Sequence, residues 1–458
     1  MSALPVLPSA PPLPAPLLSA LSEGHGEAPP LVWVLPFAAM LLSIAVLPLV
    51  AGHWWHKNRN RLIVALICGL PVLGYFVYRG DWLTISHTLH EYASFVILLG
   101  ALYTASGGIV LRGDLRATPA VNVTFLAIGS LLASFMGTTG AAMLLIRPLL
   151  RTNSERRYKV HTVVFFIFTV CNVGGCLTPL GDPPLFLGYL RGVPFTWTFG
   201  LWKEWAFVIG ILLVLYYMLD SILYGQEPPA EHRRDEEQIE PLSLAGLHNF
   251  LWLAGVVVSV AFLTSKNLAA WLGTTEDALI PRFTRDAVLV LIGFLAYRST
   301  RPELRERNEF TWEPILEVAA LFLGIFLSMM AAIAILNARG GDLPLDTPHH
   351  FFWLTGSLSA FLDNAPTYVV FFEAARAKAA AAGATEALVA GVPVPNLIAI
   401  SLGAVFMGAM TYIGNAPNFM VKAIAEERGV RMPSFFGYML YSVAILVPVF
   451  FAATWIFL

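Results

Sequence analysis

Charge is scarce in this chain. Of 458 residues, 13% are Asp, Glu, Lys or Arg and 57% are hydrophobic, with a formal net charge of -2. No basic tract suggests a nucleic-acid partner. The three cysteines, Cys68, Cys171 and Cys176, all fall in apolar segments. They form no CxxC or Cys/His spacing, so they read as buried thiols rather than metal ligands. The first 30 residues contain no Lys or Arg. They lack the positive start and cleavable core of a secretory signal, so 1–30 reads as a flexible tail outside the cytoplasm. No nucleophile–base pair or metal motif stands out, which argues against an enzyme. No polar stretch is long enough for a soluble domain.

What the chain does have is apolar sequence along its whole length, with mean hydropathy +0.69. That is the mark of an all-α polytopic membrane protein. Ten spans are expected, at 31–51, 62–78, 90–111, 160–190, 204–224, 246–264, 285–298, 313–337, 394–428 and 434–457. Two of them cannot be ordinary helices. Thr178-Pro179-Leu180-Gly181-Asp182-Pro183-Pro184 interrupts the span at 160–190, because its prolines remove backbone donors and clash with a continuing helix. A second copy lies 233 residues on, where Gly408 through Phe419 aligns without gaps to Gly175 through Phe186. Thr178 matches Thr411, Gly181 matches Gly414, Pro184 matches Pro417, and Asp182 faces Asn415. Broken backbone at membrane depth is tolerated only when buried in protein or lining a cavity. Interruptions at matching places in two halves point to a transporter's binding site.

Two further apolar stretches, 119–150 and 349–376, are too long for one crossing and too short for two of ~20 residues. Each has a helix-breaking centre, Gly137-Thr138-Thr139-Gly140 and Asp363-Asn364-Ala365-Pro366. Both read as re-entrant hairpins. With the Lys57/Arg59/Arg61 loop in the cytoplasm, 19 of the 28 Lys and Arg lie inside and 9 outside, the positive-inside bias. The organisation then becomes an inverted repeat of five-element halves, each with two spans, a hairpin, a broken span and a last span. Residues 1–30 are the tail, and 31–61 an extra N-terminal span with its cytoplasmic loop. The first repeat is 62–224. A linker and connecting span occupy 225–284, with a solvated loop at 226–240, and the inverted repeat follows at 285–458.

The hairpin tips and broken helices gather two polar clusters: Thr138, Thr139, Asn172, Thr178 and Asp182, and Asp363, Asn364, Thr367, Thr411, Asn415 and Asn418. Hydroxyl, amide and carboxylate oxygens suit a hard cation such as sodium, and neither cluster offers a transition-metal pattern. Each aspartate could also simply cap a half-helix, and any one threonine could bond back to its own helix. Glu91, Glu313 and Glu317 are expected at helix ends or in solvent, Arg147 as a snorkelling anchor and His161 as an interfacial residue. The role of Glu373 stays open between structure and transport.

On Asp363-Asn364-Ala365-Pro366-Thr367, Gly181-Asp182-Pro183-Pro184 and Thr411 through Phe419, residues 62–457 resemble the ion transporter superfamily. The resemblance is strongest to its sodium/proton antiporter and citrate-transporter-like branches. It implies a homodimer, sodium-type sites at both tips and elevator-like movement of the hairpin domain. Dicarboxylate symporters of that group carry Ser-Asn-Thr at both tips, whereas Gly137-Thr138-Thr139 here lacks the asparagine. The expected function is therefore secondary active ion transport in a cell inner membrane. Sodium/proton antiport comes first, and cation-coupled transport of citrate or another organic anion is the alternative. Sodium ion and proton are the expected coupling ions, with membrane lipids the surroundings and no other cofactor.

Overall fold

The computed structural model describes residues 28–229, 231, 235, 239–276, 278–383 and 387–458. The tail expected at 1–30 thus lies almost wholly outside the described residues, as does part of the linker at 226–240.

A short 3-10 turn, Leu31–Val34, runs into α1 (Leu35–Val50), and a helical turn at Gly52–Trp55 leads to α2 (Asn58–Tyr78). Next comes α3 (Trp82–Ser106), which starts eight residues before the expected span. Asp81 fixes that start, since its carboxylate accepts from the Thr84 amide at 3.1 Å. Strand β1 (Val110–Asp114) pairs antiparallel with β2 (Glu240–Ala245), ahead of α4 (Pro119–Met136) and α5 (Thr138–Thr152). The first broken span is α6 (Val160–Thr169), a 3-10 turn at Val173–Cys176 and α7 (Pro183–Leu190), followed by α8 (Trp202–Tyr224). Helix α9 (His248–Phe262) connects the halves and bends by 70° into Ser265–Leu272. The second half runs α10 (Leu279–Ser299), α11 (Glu313–Arg339), α12 (Pro348–Leu362), α13 (Asn364–Ala381), α14 (Val394–Met407), α15 (Ala416–Glu427) and α16 (Phe435–Phe457). Element for element, the second half repeats the order of the first.

The chain is a multi-pass membrane protein. Six helical segments among the described residues are long and apolar enough to cross a bilayer, and the bent pair around Leu263 would make a seventh. Helix α10 is helical well before the expected start at 285, because Arg285 and Asp286 neutralise each other inside it. Arg285 Nε lies 3.0 Å from Asp286 Oδ1, and the other Asp286 oxygen accepts from Ser94 at 2.5 Å.

The stretches 119–150 and 349–376 fold as helical hairpins, reversing at Gly137 and Asp363. The open end of the first is closed by a reciprocal amide pair. Asn122 Nδ2 donates to Asn153 Oδ1 at 2.9 Å, and Asn153 Nδ2 to Asn122 Oδ1 at 2.8 Å, both side chains being buried. The second is closed by an ion pair at the surface, Lys378 Nζ to Asp346 at 2.5 Å, and Lys378 holds the Asp346 carboxyl below the usual carboxylate range.

Two bodies result. In one, α2 packs along α11 and α3 along α10, with α1 against both α2 and α11. In the other, the hairpins and broken helices interlock: α5 packs on α15 of the other half, and α13 reciprocally on α7. The linker departs from the expected solvated loop, because it supplies acceptors to orphan amides. Buried Glu227 accepts from the Arg157 and Tyr158 amides, and buried Asp235 from Ala117.

Two further expectations change. Arg147 does not snorkel alone but binds Glu309 at 2.7 Å and the Asn308 carbonyl at 3.1 Å. His161 is buried, 2.8 Å from Asp220, whose Oδ1 also meets Arg156 at 2.6 Å. Polar neighbours within the fold partner these side chains, where water or headgroups were expected to do so.

Candidate functional site

Each break in the paired spans has the same backbone design. The loop doubles back so tightly that a methyl group on Gly181 would strike the Gly175 carbonyl, and one on Gly414 the Gly408 carbonyl. The threonine three residues earlier ties this loop to its own hairpin. Thr178 donates to the Ser134 carbonyl and Thr411 to the Ala360 carbonyl, positions that match at the hairpin offset of 226. Each hydroxyl also accepts the amide two residues on, Leu180 and Ile413. Thr178 and Thr411 are therefore joints between hairpin and broken helix. Thr367 is likewise committed, to the Asp363 carbonyl at 2.8 Å.

The remaining candidates converge on Asp182. Its side chain is buried, and Oδ1 accepts from Thr138 Oγ1 at 3.1 Å and Asn415 Nδ2 at 2.9 Å, while Oδ2 accepts from Asn364 Nδ2 at 2.5 Å. Thus both hairpin tips and both breaks meet at one carboxylate. The simple capping role is absent, since Asp182 makes no side-chain cap to α7. Beside it, Asn172 Nδ2 donates to the Ile167 carbonyl at 2.8 Å and to Asn418 Oδ1 at 2.7 Å. Asn418 in turn donates to the Gly408 and Thr411 carbonyls.

Two oxygens in this cluster are left over: Asn172 Oδ1 and Asn364 Oδ1 are buried without a hydrogen-bond partner. Both residues flank Gly408, where an added Cβ would lie 2.9 Å from Asn172 Oδ1 and 3.6 Å from Asn364 Nδ2. An unsatisfied buried acceptor costs about 1–3 kcal/mol and calls for an explanation. Uncommitted hard oxygens beside a buried carboxylate suit a sodium-type cation.

Asp363 sits at the other tip, in an unusual backbone. Its φ is 73° and ψ 139°, a region where non-glycine residues are strained by about 1–3 kcal/mol. Its counterpart Gly137 adopts φ 81° and ψ 148°, which glycine does at no such cost. The carboxylate accepts from the Ala365 amide at 3.2 Å, so it does cap α13. It also lines a cavity of about 380 Å³ lying between the hairpin body and α1, α3 and α11. Thr138, Thr139, Pro183, Asn415 and Ala416 face the same space. Helices α5, α7 and α15 begin there, each presenting the positive end of its dipole.

At the far wall stand Arg61, His56, Glu313 and Glu317. Sequence reasoning placed Arg61 in a loop and Glu317 at a helix end. It did not anticipate their contact, 2.9 Å across 256 residues, for which nothing in the repeat gives a signal. Ser134 was also missed. Buried one turn before the first tip, it donates to the Gly174 carbonyl and accepts from the Leu177 amide. Glu373 pairs with Arg191 at 3.3 Å and Arg376 at 2.6 Å, and Arg191 also reaches Glu91 at 2.9 Å.

Among curated proteins none matches the chain. A family model covers nearly all of it, residues 26–458, and its description reads "Putative citrate transport" (CitMHS_2). The chain, with its paired breaks meeting over a cavity, belongs to that family.

Proposed function

We propose that the protein is a secondary active transporter that carries a small organic carboxylate of the citrate class together with a hard cation. The observation that carries this reading is the pairing of two chemistries in one place. Asp182 and the uncommitted oxygens of Asn172 and Asn364 suit the cation. The helix starts at Thr138, Pro183 and Ala416 offer positive ends to an anion in the adjoining cavity. A bare ion needs no space of about 380 Å³, whereas small-molecule sites have this size. Family membership points the same way.

Sodium/proton antiport is the second reading, favoured by Asp182 and Asp363. A carboxylate away from bulk water is costly unless protonated or cation-bound, so proton and cation would compete for it. On either reading the protein works by alternating access in an inner membrane, as a homodimer.

Flux into proteoliposomes separates the two. Labelled citrate should accumulate when a sodium, lithium, potassium or proton gradient is imposed separately, with one of them clearly effective. If citrate does not move, and a sodium gradient alone shifts the internal pH with no organic anion present, antiport is the function.

A further inference from the structure

We propose that Arg61 is the carboxylate-selecting residue of the cavity wall, held in reserve by Glu317. The inference rests on the organic-carboxylate reading above. It concerns the segment from α1 into the first turn of α2, most of which lies outside the two repeats. Pro48, Gly52, Trp55, His56 and Arg61 of that segment nevertheless form part of the cavity wall.

The guanidinium is built in rather than adrift. Arg61 Nη1 donates to Asn58 Oδ1 at 2.7 Å, and the group lies over the Trp55 ring at 6.0 Å. Glu317 takes Nη2 at 2.9 Å. The Nε–H is shielded from water and has no partner. Nε and Nη2 share one edge of the guanidinium, the edge that a carboxylate spans with two parallel bonds. Glu317 uses only half of it, leaving a buried donor unmet.

The two partners also differ in freedom. The Arg61 side chain is 7% exposed and that of Glu317 is 40% exposed. An arriving carboxylate can therefore bind the Nε/Nη2 edge while Glu317 swings into cavity water, with Arg61 unmoved. Glu313 and Glu317 repel any anion that does not engage Arg61. Engagement at Arg61 and at the helix starts together requires at least two carboxylates on one molecule, which selects polycarboxylates over acetate-like anions.

The test uses purified wild-type protein, Arg61→Gln, Arg61→Lys and Glu317→Gln in proteoliposomes, with labelled citrate and labelled acetate as probes. Monodispersity in detergent establishes folding. Losing a charge-assisted pair should raise the citrate KM of Arg61→Gln by about ten- to a hundredfold. Its maximal rate should stay within about twofold, because the interaction is one of binding. Arg61→Lys should fall between, since an ammonium keeps the charge but not the two-pronged edge. Glu317→Gln should lower the citrate KM, a result that a merely structural tie between α2 and α11 would not give. If Arg61→Gln does not fold, Arg61→Lys and Glu317→Gln decide, and an unchanged citrate KM in both overturns the proposal. Wild type that moves citrate alongside folded variants with its KM defeats this inference alone. Wild type that moves no carboxylate defeats the parent reading as well.

Discussion

The two halves share a backbone but place their charge differently. In the first, the hairpin tip is Gly137 and the break carries Asp182. In the second, the tip is Asp363 and the break carries Asn415. Each half thus contributes one carboxylate, from a different station of the same frame. Asp182 is surrounded by donors from both tips and the opposite break, while Asp363 has only amides of its own helix and faces the cavity. The difference separates two tasks that one residue would otherwise combine. On the proposed reading, the enclosed carboxylate would fix where a cation sits, and the cavity-facing one would govern what approaches.

Neutralising the enclosed carboxylate should have the largest effect. In Asp182→Asn the new amide meets the Asn364 amide donor to donor, but Asn364 can turn over, because its own oxygen is unpartnered. Folding should survive. The charge opposite a bound cation is lost, at about 3–5 kcal/mol or roughly a hundredfold or more in affinity. Cation dependence of transport in monodisperse protein measures this, and wild-type dependence would reduce Asp182 to a structural acceptor.

The tip carboxylate comes next, and here stability and transport should move in opposite directions. Asp363→Gly gives the second tip the backbone of the first and should relieve about 1–3 kcal/mol of strain, raising Tm. Transport should fall. Asp363→Ala loses the same cap without relieving the strain, so it should lower both. If Asp363→Gly transports normally, the aspartate is only a turn residue.

Asn415→Ala should be milder. It removes one donor from Asp182 and leaves the charge, so cation affinity should drop by about tenfold, corresponding to one charge-assisted hydrogen bond of about 1.5 kcal/mol. Titrating citrate uptake against the cation reads this directly.

The hairpin closures give the smallest contrast. Asn153→Ala leaves Asn122 short of a partner in a buried place, which should cost about 1–3 kcal/mol in thermal unfolding. Asp346→Asn, at the exposed closure, should leave thermal unfolding close to that of the wild type. The Asp346 carboxyl titrates below its ordinary value, so its contribution is present above that value and is lost only as pH falls below about 4. Stability of the two variants from pH 7 to pH 3 compares the closures.

Much of this frame was legible in the sequence because its signals are local. Gly-Asp-Pro-Pro and Asp-Asn-Ala-Pro cannot continue a helix, and their repetition sets the two halves in register. Local signals also named the residues that meet at Asp182. They could not say which hydroxyls were already committed. Thr178 and Thr411 look like ligands in sequence, yet each is bound to a carbonyl more than forty residues away. The start of α10 was obscured because Arg282 and Arg285 crowd it in sequence, and only the fold shows Arg285 meeting Tyr189 and Asp286, the latter held in turn by Ser94. Arg61 and Glu317 stayed hidden for the same reason. Long-range pairing of charges leaves no period or spacing to read.

Gly181 packs on the Gly175 carbonyl, and Gly414 on the Gly408 carbonyl, too closely to admit any side chain, so each crossing is tightly packed. On the alternating-access reading proposed above, the oxygens around Asp182 would then keep their spacing whichever side of the membrane they face. A bound ion would have one intrinsic dissociation constant, the same from within and from without. For the ion, such a carrier is a balance with equal arms. In vesicles holding the protein in both orientations, the cation dependence of uptake should therefore follow a single saturation curve.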